Sequence, residues 1–151
     1  MIIKLDINDR AALAIKNNQK RVEIRANDNK YDYSKLNSND IIEFNSNNIG
    51  IFYVKIKEVN FYNSLEELFM LEGTRYTTSS TNDKDEAIKN VEKIGDYKET
   101  IKQNGVYAIH IEYLYSENTV WEEMADKARS VMNRRDVSGM ISAGSVGAAI
   151  L

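Results

Sequence analysis

Between Lys16 and Asp28 the chain reads KNNQKRVEIRAND, and its charged residues fall where a strand would set them on one face. Residues i, i+2 and i+4 of a strand share a side, roughly 7 Å apart at each step. Arg21, Glu23 and Arg25 are therefore expected to point one way and Val22 and Ile24 the other, with Lys20 at the strand's entrance. A glutamate between two guanidiniums has its ionised form favoured, which suits it to fixing an arginine rather than to donating a proton. Arg25, so fixed, could pair its planar fork with a phosphate or stack on a base. Lys20 could reach the same anion, or act as a general base if burial lowered its pKa. The same alternation also fits a lateral ion pair on an exposed strand, worth under about 1 kcal/mol. Spacing alone leaves both readings open.

Reading single-stranded nucleic acid also requires aromatic side chains on which bases stack. Tyr31 and Tyr33, in the polar stretch after the charged strand, are best placed in sequence to flank a ligand. Tyr53, Phe61, Tyr62, Tyr76 and Tyr107 read mainly as packing residues. The single histidine, His110, alternates with Ala108 and Glu112 and reads as a partnered rim residue. Asp40 either accepts hydrogen bonds from turn amides or faces a cleft. The chain has no cysteine, which removes zinc ribbons, thiol nucleophiles and disulfides together. With one histidine, only a carboxylate metal site would remain, and no cofactor is expected.

The elements that must position these residues can be read from periodicity. Residues 1–7 read as a strand. A short helix follows over 8–18, capped by Asn8 or Asp9 and ended by Asn17-Asn18. Residues 20–26 have the period of a strand, and 27–38 are an irregular polar loop. Strands are expected over 39–45 and 50–62, joined by the turn-forming NSNNIG. Ser64 and Glu67 make a capping box for a helix ending at Gly73. A polar loop over 74–83 precedes a helix with Ala87, Ile88, Val91 and Ile94 on its inner side, ending at Gly95. Residues 96–104 add a turn or two, and 105–115 form the last strand. Beyond it, Thr119-x-x-Glu122 opens an amphipathic helix anchored by Trp121, followed by an uncharged tail over 137–151. The order β-α-β-β-β-α-α-β suggests a small, partly open and mainly antiparallel barrel with inserted helices, not a doubly wound parallel sheet.

The bulk numbers fit one domain of 1–115 with an appendage of 116–151. The 151 residues are 42% hydrophobic and 28% charged, a globular balance. Net charge is −3, yet residues 1–35 hold eight Lys/Arg against five Asp/Glu, so the N-terminal third is locally positive and suited to an anion. The first ten residues do not read as a signal peptide, and no run reaches the about 18 apolar residues of a membrane helix. A soluble, cytoplasmic protein with no membrane role is expected, and the absence of proline with abundant asparagine suggests a bacterial or phage source.

Taken in order, the helix before KNNQKRVEIRAND, then LNSNDIIEF, VKIKEVNFYNSLEELF and NGVYAIHIEY resemble the ASCH domain, a branch of the PUA-like superfamily. The likeness covers about residues 1–115. Asn39 stands before Asp40 where the family usually has glycine, and asparagine tolerates the same left-handed backbone. The resemblance implies an α+β fold, a PUA-like mixed and mainly antiparallel β-barrel with inserted helices. The helix over 119–136 would be a C-terminal helical extension. It also implies a cleft between the first helix and the barrel mouth, and RNA or modified nucleosides as ligands. Some bacterial members are N4-acetylcytidine amidohydrolases or ribonucleases. Lys20 matches the catalytic lysine of the amidohydrolase branch. Glu23 stands where that branch has threonine, and its glutamate would fall near Asp83, Asp85 or Glu86.

The leading expectation is a module binding RNA or a modified nucleoside beside strand 20–26, through Lys20, Arg21, Glu23, Arg25, Asn27, Tyr31 and Tyr33. One alternative is a small hydrolase of the same fold with Lys20 as base and Glu23 in an acid/base role. Another is a module that meets a protein partner, or a second copy of itself, through residues 116–151.

Overall fold

In the computed structural model the residues described are 1–117 together with Met124, Lys127, Ala128, Arg129 and Val131. The chain falls into two compact units, Met1–Leu114 and Tyr115–Leu151, and the candidate site lies wholly in the first. The elements among the described residues are strand β1 (Ile2–Asp6), helix α1 (Asp9–Lys16), strands β2 (Val22–Arg25), β3 (Ile41–Ser46) and β4 (Gly50–Tyr62), helices α2 (Leu65–Glu72), α3 (Lys84–Glu92) and α4 (Tyr97–Asn104), and strand β5 (Val106–Ser116). The expected helix over 119–136 falls largely outside the described residues, Trp121 included, although its described members are helical. The uncharged tail lies wholly outside them.

Local chemistry accounts for the boundaries. Asn8 caps α1, its Oδ1 accepting the Ala11 N–H at 2.8 Å, and Asn18 leaves the helix with φ +61°. Ser64 caps α2 by accepting the Glu67 N–H at 3.1 Å. The β3–β4 hairpin begins after Asn39, whose φ is +74°. Within 96–104, Tyr97–Asn104 form a full two-turn helix, and the polar stretch 27–38 contains a 3-10 turn at Tyr33–Lys35.

The five strands form one mostly antiparallel sheet in the order β1-β3-β4-β5-β2. β1 runs parallel to β3, while β3 with β4 and β2 with β5 are antiparallel. The order leaves β1 and β2 at the edges, so the expected barrel is not closed by a backbone ladder. β2 spans only four residues. The Arg21 and Val22 amides both donate to the Tyr76 carbonyl, at 2.8 and 3.0 Å, instead of extending a ladder. Where a closed barrel would pair β1 with β2, the Arg25 side chain bridges them, Nη2 donating to the Asp6 carbonyl at 2.8 Å.

Two hydrophobic cores meet across β2 and β5. One, built around Phe44, Phe52, Val54 and Ile109, fills the curl of the sheet beneath α1. The other sets Val22, Ile24, Val106 and Ala108 against α2, α3 and α4. Register places Glu23 opposite Ile109 and Arg25 opposite Tyr107. The charged pair thus enters the sheet's inner side, back to back with Val22 and Ile24. Among the described residues no helix is long and apolar enough to cross a membrane.

Candidate binding cleft

Three charged side chains converge beside β2. Lys20 is held first by its backbone: the turn after α1 sends the Gln19 and Lys20 N–H groups back to the Ala14 carbonyl, at 2.8 and 3.0 Å. That turn aims Lys20 inward, where it is 6% exposed, and its Nζ donates to the Thr77 carbonyl at 2.5 Å. Glu23, equally buried at 6%, divides its carboxylate. Oε1 lies 3.5 Å from Lys20 Nζ, while Oε2 accepts from Arg25 Nε at 3.2 Å and Nη2 at 2.9 Å. The Arg25 guanidinium also lies 5.8 Å from the Phe44 ring centroid, within cation–π range.

Burial and charge act in opposite senses on this trio. Burial lowers the Lys20 pKa below its usual 10.5, and the Glu23 carboxylate only partly opposes this. For Glu23, burial pushes the pKa up, but the Arg25 and Lys20 charges outweigh it and hold the carboxyl below its usual 4.5. For Arg25, burial pushes down and Glu23 outweighs it, so the guanidinium stays charged. Two cations against one anion leave the buried trio with a net positive charge. That arrangement supports holding an anion or a carbonyl oxygen rather than releasing a proton.

The trio opens onto space that the protein leaves unfilled. A cleft of about 500 Å³ runs from Arg25 and Glu23 to Asp6, Asn8, Asn45 and Tyr97. A second, of about 290 Å³, runs from Lys20 and Glu23 along Thr77–Ser80 and Arg10. Both include Asn8, Ala11, Glu23, Ile24 and Ile94, so Glu23 lies where they adjoin. Their sizes reach into the range of small-molecule sites.

Other expected residues go elsewhere. Arg21 is exposed, with Nε donating to Asn18 Oδ1 at 3.1 Å and the guanidinium 4.2 Å from the Tyr76 ring centroid. It stands just ahead of β2, where its N–H is taken by the Tyr76 carbonyl at 2.8 Å, and it does not join Glu23 and Arg25. Asn27 has both ends of its amide committed within its loop, to Asp32 Oδ1 at 2.9 Å and to the Tyr33 N–H at 2.7 Å. Tyr33 is buried in the inner core, its ring 4.9 Å from that of Tyr31, and neither ring lines the two clefts. His110 pairs with Glu72 at 2.8 Å. Asp40 accepts the Asn37 N–H at 2.9 Å, the turn role. Asp83 caps α3 and Glu86 accepts from Thr81; these two and Asp85 are absent from the cleft lining, where the 77–80 hydroxyl residues stand instead.

Two cleft residues had little signal in sequence. Tyr97 opens α4 and lines the cleft together with Arg25. Burial raises its pKa, with Arg25 opposing. Ile94, expected on the inner side of α3, is instead 51% exposed and faces the cleft. Only the Gly95-Asp96 break between the helices hinted that these positions leave the helical pattern. Among the described residues no group of three or more His, Cys, Asp or Glu is placed to hold a metal.

An open five-stranded sheet, an overlying helix and a buried charged trio on a cleft define a small α+β scaffold. Residues 5–115 match the ASCH domain, and the chain belongs to the ASCH domain family. It is similar to the crystal structure of hypothetical protein PH0355, with 28% identity and a TM-score of 0.66 over 76% of this chain and 100% of that one. It is also similar to the solution NMR structure of protein PF0455 from Pyrococcus furiosus, with 28% identity and a TM-score of 0.61 over 76% of this chain and 98% of that one. No curated protein matches the chain.

Proposed function

We propose that this ASCH domain binds RNA or a modified nucleoside in the cleft beside β2. The observation that supports this best is the buried, net-positive Lys20–Glu23–Arg25 trio facing unfilled space. Buried charge is costly unless it is paired and hydrogen-bonded, and here two cations share one carboxylate. Glu23 orients Arg25 through Nε and Nη2, and the guanidinium so held lines the cleft, where it would meet a carbonyl or phosphate oxygen. Lys20 supplies a second donor from the other side of Glu23.

A second reading, a hydrolase of the same scaffold, is favoured by one observation: burial lowers the pKa of Lys20. A lysine so tuned is suited to act as a general base. One experiment separates the readings. Purified protein and its Lys20→Ala variant are incubated with labelled single-stranded RNA and with N4-acetylcytidine, with affinity measured and products resolved by chromatography. Binding without turnover, weakened in the variant, supports the binding module. A product that disappears in the variant supports the hydrolase. Neither binding nor turnover with either compound would sink both readings.

A further inference from the structure

Ile94 lines both clefts flanking Glu23 and also a third cavity, of about 780 Å³, between residues 27–32 and α4. It is the side chain all three have in common. A lone exposed aliphatic residue needs no explanation, but this one is rigidly presented. Its N–H donates to the Val91 carbonyl at 3.0 Å and its carbonyl accepts the Tyr97 N–H at 2.9 Å. Gly95, with φ +44°, turns the chain from α3 into α4 without returning Ile94 to the core that buries Ala87 and Val91. Tyr97, three residues on, lines two of the three cavities and packs partly against the outer core.

Charge is distributed unevenly around this apolar point. The third cavity carries Asp28, Asp32 and Asp96 against Lys30, so an anionic group is disfavoured there. On the other side of Ile94 stand Lys20 and Arg25. A ligand lying against Ile94 is thus oriented, with its electronegative edge toward the trio and an uncharged part toward the acidic cavity.

We infer that Ile94, together with Tyr97, is the apolar wall against which the flat ring of an uncharged heterocyclic ligand packs, while the ring's carbonyl edge meets Lys20 and Arg25. This rests on the cleft being a binding site, and it narrows the ligand to a planar ring with a polar rim, such as a nucleobase.

The test compares wild type, Ile94→Ser, Ile94→Leu and Arg25→Lys by titration with N4-acetylcytidine and with labelled single-stranded RNA. Thermal melting checks that each variant is folded. Ile94→Ser is expected to weaken binding about tenfold, and Ile94→Leu to stay within about twofold. Unchanged affinity in Ile94→Ser, alongside weakened affinity in Arg25→Lys, overturns the inference alone. Unchanged affinity in Arg25→Lys, or no binding of either probe by wild type, overturns the cleft reading and this inference with it.

Discussion

Lys20 Nζ lies 3.5 Å from Glu23 Oε1 although both side chains are almost wholly excluded from solvent. Their contact is one half of a bridge, since the other carboxylate oxygen holds Arg25 at 2.9 Å. Removing the shared anion therefore leaves two buried cations facing each other. Glu23→Gln is expected to destabilise the fold by about 3–5 kcal/mol, measured as the shift in urea unfolding. The folded-state pKa of Glu23 is depressed, so its contribution is fully present above the usual 4.5 and lost as pH falls through the folded value. A variant as stable as wild type at neutral pH would show that the trio is solvated and the cleft electrostatics misread.

Lys20 gives a dependence of the same sign, displaced to alkaline pH. Its folded pKa lies below 10.5 because of burial. Between those two values the unfolded chain binds a proton that the folded chain does not, so stability rises with pH. Lys20→Met lacks this term. The stability of wild type relative to Lys20→Met should thus grow as pH is raised toward 10.5, as read from urea midpoints. Parallel profiles would place the amine in water.

Tyr62 and Glu72 form a separate test of burial. The Tyr62 hydroxyl donates to Glu72 Oε2 at 2.7 Å. Burial, then the Glu72 carboxylate, push its pKa up to about 12. NMR of ring-labelled tyrosine should show one phenol titrating near that value, assigned by its loss in Tyr62→Phe. Glu72→Gln should bring it down, and an unmoved titration in that variant would remove Glu72 as a cause.

Asn39 tests the turn before β3. With φ at +74° it occupies the left-handed region, where a Cβ costs about 1–2 kcal/mol unless the residue is glycine or asparagine. Asn39→Ala should lower stability by about 1 kcal/mol, while Asn39→Gly should leave the thermal midpoint near wild type. Equal midpoints for alanine and glycine would mean the turn readily finds another conformation.

How far the sequence led depended on whether a signal was local. The caps at Asn8 and Ser64, the left-handed Asn39 and the alternation of Val22 and Ile24 against Glu23 and Arg25 could be read within a few residues. Arg21 could not, because its exclusion from the charged face is decided by the Tyr76 carbonyl, which arrives from the loop after α2. Nor could Tyr33, whose polar neighbours suggested a surface ring while the 3-10 turn carries it into the inner core. Ile94 and Tyr97 reach the cleft only because α3 and α4 fold against the outer face of β2, which nothing around residue 94 announces.

Arg25 has one more consequence through its bond to the Asp6 carbonyl. The two sheet edges it joins share no backbone ladder, so separating them there breaks about one charge-assisted hydrogen bond, on the order of 1.5–3 kcal/mol, and not a row of amides. The seam is thus a place where the scaffold can breathe locally while both cores stay packed. A ligand that recruits Arg25 tugs on the same stitch, so amide hydrogen exchange along β1 becomes a remote gauge of whether the cleft is filled.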